Sequence, residues 1–248
     1  MGALAAGGWG LLAGSALLFG AAVGLFFRVP AQWTALVMAF GSGVLISAVS
    51  YDLVAEAYER GGLAPTALGA LGGAGVYSLA NVALARRGAR HRKRSGAQQP
   101  SEQDRPGSGG AIALGALLDG VPESVVIGTG LLGGGSVGAA TVVAVFLSNL
   151  PEGLASAAGM RQAGRSKGYV MGLWAAIALV SGLAALVGYT VLGGASETVM
   201  AAITAVAAGA ILAMIADTMI PEAFENAHLL AGLTTVTGFL VAFALAQL

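Results

Sequence analysis

The sequence predicts an all-α membrane protein, built from eight transmembrane helices with inverted-repeat relationships. Three observations lead there. Of 248 residues, 56% are hydrophobic and 10% charged, with a mean hydropathy of +0.82, whereas a water-soluble domain carries about 25% charged residues. The apolar residues gather into eight runs, each close to the ~20 residues that a hydrocarbon core about 30 Å thick demands of a helix. The basic residues fall almost entirely on alternate connections, as they do when cytoplasmic loops hold the excess of Lys and Arg.

The first run, 3–27, has no basic segment before it and is longer than the roughly 7–15 apolar residues of a secretory signal, so it reads as a retained helix. Span two, 33–55, begins after Arg28 and Pro30 and carries Asp52 near its outer end. Spans three to five, 63–85, 110–132 and 137–160, hold enough glycine to look like loops on propensity alone. In lipid, small residues instead let helices approach closely, so the glycines predict a tight bundle. Spans six to eight cover 168–190, 197–220 and 228–248. Arg28 follows span one; Arg86, Arg87, Arg90, Arg92, Lys93, Arg94 and Arg105 follow span three; Arg161, Arg165 and Lys167 follow span five. Only Arg60 lies on the other side. This pattern puts both termini outside the cytoplasm in a multi-pass protein of the cell membrane.

The chain thus divides into spans one to three (1–85), a connection over 86–110, and spans four to eight (111–248). The connection opens with a basic block and continues in Ser, Gln, Pro and Gly without apolar periodicity, the composition of a disordered linker. Its charges read as the signal that holds it in the cytoplasm. Cysteine is absent, which removes disulfides, thiolate nucleophiles and Cys-ligated zinc. Neither His91 nor His228 lies deep within an apolar run. With no imidazole at depth to ligate a metal or act as a base, an intramembrane hydrolase is not expected, and the chain reads as a non-enzyme. The expected partners include the lipid bilayer and a second copy of the chain, and no nucleic acid.

A carboxylate at mid-bilayer depth costs at least about 2.5–3.5 kcal/mol and is a functional candidate by default. Five acids qualify: Asp52 in span two, Asp119 and Glu123 in span four, Glu152 in span five and Asp217 in span seven. Glu56, Glu59, Glu222 and Glu225 fall beyond the span ends, where a wetted mouth accounts for them. Spans four and five share a pattern at an offset of 29 residues, Leu118 to Ser124 aligning on Leu147 to Gly153 with Pro122-Glu123 on Pro151-Glu152. Each proline withholds an amide donor and frees a carbonyl one turn earlier, and in lipid that carbonyl needs a partner. Two facing carboxylates repel unless a cation stands between them, so oxygen-rich ligation of a divalent ion resolves the conflict. A second similarity, Gly43 to Glu59 on Gly209 to Glu225 at an offset of 166, relates spans two and seven, which run in opposite senses. Inverted repeats about a midplane site are a feature of secondary transporters.

At these residues the sequence resembles the ZIP (Zrt/Irt-like) family of divalent metal transporters. Asn149-Leu150-Pro151-Glu152-Gly153 is similar to that family's Asn/Asp-x-Pro-Glu-Gly; span four departs from it, with Asp119-Gly120-Val121-Pro122-Glu123-Ser124 in place of His-Asn-x-Pro-Glu-Gly. The resemblance implies Glu123 and Glu152 as metal ligands, Asp119 at the histidine position and Asn149 lining the same site. It places Asp52, Glu56, Ser148, Asp217, Thr218 and Glu222 along the pathway. Ala185 stands where the family often has a glutamate, which puts a second metal in question. The implied cargo is a divalent cation, zinc first, with manganese and iron as alternatives; Asp119 in place of histidine hardens the ligand set toward oxygen-favouring ions. The implied activity is secondary transport of that ion into the cytoplasm. Two other readings stand beside it: a proton-linked transporter of another solute, and a non-transporting membrane sensor or scaffold.

Overall fold

The computed structural model describes residues 2–93, 99–132 and 139–247. Among them, eight helices are long and apolar enough to cross a membrane: α1 (Ala3–Phe26), α2 (Ala31–Gly61), α3 (Leu63–Ala89), α4 (Ser108–Thr129), α5 (Ala139–Gln162), α6 (Lys167–Leu192), α7 (Glu197–Ala227) and α8 (Leu229–Ala246). No strand occurs among the described residues. The protein is therefore an all-α, multi-pass membrane protein. The expected start of span five, at 137, and the last residue of span eight lie outside the described residues.

Helices α2 and α7 run past the ends expected for their spans. Hydropathy stops at the first charges, but the helix does not: Glu56 and Arg60, one turn apart, pair at 2.6 Å, and Arg60 also reaches Glu197 at 3.4 Å. Glu56, Glu59, Glu222 and Glu225 are consequently helical. Both helices also widen into a π-helical turn at matching places, Val49–Val54 and Ile215–Met219. In α7 there is a local cause, because Pro221 cannot donate to the carbonyl one turn back. Such wide turns are frequent at functional sites, and here they carry Asp52, Asp217 and Thr218.

Packing follows the internal repeat. Shifting by 166 residues carries α1, α2 and α3 onto α6, α7 and α8, and the main helix contacts exchange accordingly: α3 packs on α7 as α8 packs on α2, and α1 packs on α5 as α6 packs on α4. Glycine makes each crossing close. A methyl at Gly20 or Gly24 would strike the Leu150 or Leu154 carbonyl, one at Gly43 that of Thr235, and one at Gly209 that of Ala70. The outward faces of α3 and α8 present Leu68, Leu71, Leu79, Leu229 and Leu233, the apolar surface a hydrocarbon solvent favours.

The two largest apolar clusters among the described residues lie one around α2 and α7, the other joining α1, α4, α5 and α6. Helix α4 contributes Ile112 and Ala116 to one and Val126 to the other, so its residues 119–123 lie at their junction. Near the end of α3 the helix kinks at Gly88, whose φ of 107° is open to glycine and strained for other residues. Beyond this kink, Arg92 and Lys93 are buried in the bundle.

Candidate functional site

Asp119 and Glu123 are one turn apart on α4 and so share a face; Glu152 projects from α5. All three are buried, with 2%, 2% and 5% of their surface exposed. Between Asp119 and Glu152 stands the ammonium of Lys93, with Nζ 3.2 Å from Asp119 Oδ2 and 3.0 Å from Glu152 Oε2. The neighbouring Arg92 forks onto Asp119, its Nε donating to Oδ2 at 3.1 Å and its Nη2 to Oδ1 at 3.0 Å. The α3 residues complete the shell. Tyr77 donates to Asp119 Oδ1 at 2.7 Å and accepts from Arg92 Nη2 at 3.0 Å, and Asn81 Oδ1 accepts from Arg92 Nη1 at 2.8 Å.

Arg92 and Lys93 are 2% and 1% exposed. The composition of 86–110 predicts a disordered linker; residues 94–98 lie outside the described residues, and at the described residues on either side the structure differs. Ala85–Ala89 extends α3 with a kink at Gly88, Arg92 and Lys93 are inside the bundle, and Gln99 Nε2 ties the segment to α5 through the Ser156 carbonyl at 3.1 Å while also donating to the Arg92 carbonyl at 3.0 Å. The physical reason is charge. Three carboxylates without cationic partners are too costly to bury, and the nearest basic block in sequence supplies the partners. Farther along, Glu102 accepts the Gly107 and Gly109 amides at 2.8 and 2.6 Å at the start of α4 and meets Arg165 at 3.3 Å. Those amide bonds, with Arg165 beside them, hold the Glu102 carboxyl below its ordinary range.

Glu123 is the exception in the cluster. It feels Glu152, Lys93 and Asp119 electrostatically, yet its Oε2 is buried with no hydrogen-bond partner among the described residues. No three acidic or imidazole side chains among the described residues converge as a ready ligand set; the two cations hold the space between the acids.

Lys93 bridges Asp119 and Glu152, with Glu123 in electrostatic reach of both, and the other sequence candidates have separate partners. Asn149 donates to the Ala13 carbonyl on α1 at 3.2 Å, and Ser148 to the Val145 carbonyl of its own helix at 2.9 Å. Asp52, half-buried, accepts from Thr141 at 3.2 Å, and Glu56 is paired with Arg60. Thr218 donates to the Met214 carbonyl at 2.8 Å, whereas Asp217 is exposed on the other side of its turn and accepts from Ser78 at 3.2 Å. Glu222, 8% exposed, lines a space of about 10 Å³ together with Thr34, Asn226 and Lys93, which is at the lower limit for one water. Ala185 is fully buried where Gly10 and Gly128 press α1 and α4 against α6, so a larger acid has no room at that crossing.

The composition of the sequence misses Tyr77, Asn81, Arg92 and Lys93. A signal was present: buried acids with no histidine nearby demand a positive partner, and the basic block after span three, which contains Arg92 and Lys93, can supply one. No family model matches the chain, and no curated protein matches it.

Proposed function

We propose that the protein is a secondary transporter that carries divalent metal cations, zinc foremost and manganese or iron as alternatives, across the cell membrane into the cytoplasm. The reading also takes both termini to be extracytoplasmic. The observation that carries it is the group of three carboxylates, Asp119, Glu123 and Glu152, buried at the junction of the helix clusters, with Asp119 and Glu152 already paired with positive charge. A site that holds an ammonium between two acids offers the hard oxygen donors that a divalent ion requires. Polar groups flank it on two sides: Glu222 and Asn226 near the basic end of the bundle, and Asp52 with Thr141 farther along.

In this reading Glu123 and Glu152 are the ligands that meet the ion, and Asp119 is held by Arg92. Only one ion fits the charge, because Ala185 adds no acid and a second divalent cation would leave uncompensated positive charge in a dry interior. Purified protein in proteoliposomes tests this directly. Zinc or manganese uptake should be saturable and should fall to the background of empty vesicles in Glu152→Gln. A wild-type protein that moves neither ion, under either orientation of the gradient, excludes the reading.

The partnerless Glu123 favours a second reading, a proton-linked carrier of another solute in which Glu123 and Glu152 relay protons. Proton flux that persists without metal and is lost in Glu123→Gln would select it.

A further inference from the structure

We infer that Lys93 is a tethered occupant of the cation site, a side chain that fills the cargo's place when cargo is absent and must leave when a divalent ion enters. This rests on the proposed function and assigns a role to a residue outside the acidic cluster. The geometry supports it in three ways. The ammonium bonds two acids from different helices, Asp119 on α4 and Glu152 on α5, which is the bridging position a metal between those helices would take. It also lies on the connection beyond the end of α3, after the kink at Gly88, so it can move without repacking a transmembrane helix. Finally, the space beside it is bordered by Glu222 and Asn226, which offers a displaced ammonium another carboxylate nearby.

Charge explains why the exchange is balanced. If all three acids are counted as carboxylates, Arg92 and Lys93 leave one excess negative charge, and Glu123 Oε2 has no hydrogen-bond partner among the described residues. When one divalent ion replaces Lys93 and Arg92 stays forked on Asp119, the cluster becomes neutral and Glu123 gains a cation to face. A metal entering with Lys93 still in place would leave a net positive charge in the interior, which is strongly disfavoured. Lys93 therefore sets the apparent affinity: the ion must compete with an ammonium that is always at hand.

The chain has two lysines, Lys93 and the exposed Lys167, so Lys167 serves as an internal reference for an amine-acetylating reagent. In detergent-purified full-length protein read by mass spectrometry, Lys93 should acetylate slowly without metal. Saturating manganese or zinc should raise its rate at least tenfold relative to Lys167. In metal titrations, Lys93→Gln should bind either ion at least tenfold more tightly than wild type, and Lys93→Arg no more tightly. The labelling arm needs no variant, so a poorly folding Lys93→Gln does not remove the test. If metal binds in a Glu152-dependent manner while Lys93 labelling stays constant, the tethered-occupant role is wrong and the transport reading survives. If neither wild type nor Lys93→Gln binds metal, both fall.

Discussion

Lys93 and Glu152 meet through a 3.0 Å bond between an ammonium and a carboxylate that are both buried, one from a connection and the other from the middle of a transmembrane helix. The partners lie 59 residues apart in the chain, so the bond ties the basic segment after α3 to α5. Removing one member of a buried pair leaves the other charge stranded, a loss of about 3–5 kcal/mol, whereas replacing both by apolar residues is often close to neutral.

That asymmetry gives the first prediction. Without metal, Lys93→Met or Glu152→Met alone should each destabilise the protein by about 3–5 kcal/mol, and the double substitution should recover most of the loss. Thermal unfolding of the four proteins in one detergent gives the cycle. Additive losses would show that the two side chains are not coupled.

Tyr77 supplies a second. Its hydroxyl donates to Asp119 and accepts from Arg92, and hydrogen bonds to charged groups contribute about 1.5–3 kcal/mol. Tyr77→Phe should lower stability by about that amount and leave the helical content unchanged by circular dichroism. An unaltered melting temperature would mean that the hydroxyl has no structural role.

Helix crossings give a third. Gly209→Val should strike the Ala70 carbonyl and Gly128→Val that of Ala185, whereas Gly72→Val meets nothing within 4 Å. Overpacking of this kind costs about 1–3 kcal/mol or more. The first two variants should lose monodisperse protein in size-exclusion chromatography, and the third should match wild type.

Glu102 supplies a pH dependence. The Gly109 and Gly107 amides, with Arg165, hold its carboxyl below the ordinary range, so the folded state binds its proton less readily than the unfolded state. Its stabilisation is thus fully present above the ordinary glutamate value of ~4.3 and is lost as pH falls through the lower folded value. Melting temperatures of wild type and Glu102→Gln should differ by a constant amount at neutral pH and converge in acid. A gap that widens on acidification would reverse the sign and refute the assignment.

How much of this was legible in the sequence follows from which properties are local. Span existence is local, because each run of about 20 apolar residues reports its own solvent, and all eight helices stand where those runs lie. The ends of α2 and α7 are not, because Glu56 and Arg60 continue a helix that hydropathy has already abandoned. Asp119, Glu123 and Glu152 stand out because burying an acid is costly anywhere along a span. Arg92 and Lys93 were hidden by ambiguity: a basic block that marks the cytoplasmic side and one that inserts into an acidic interior have the same composition. Asn149 and Asp217 depended on helix rotation, which is fixed by partners distant in sequence, the Ala13 carbonyl and Ser78.

The most direct measurement is anomalous diffraction from crystals of the full-length protein soaked in manganese or zinc. The expected result is a single strong peak between Glu123 and Glu152, within direct ligand distance of both carboxylates, with the Lys93 side chain withdrawn from between Asp119 and Glu152. Data at saturating metal that show no peak among these acids, with Lys93 still bonded to Glu152, would contradict a divalent-cation site at this place.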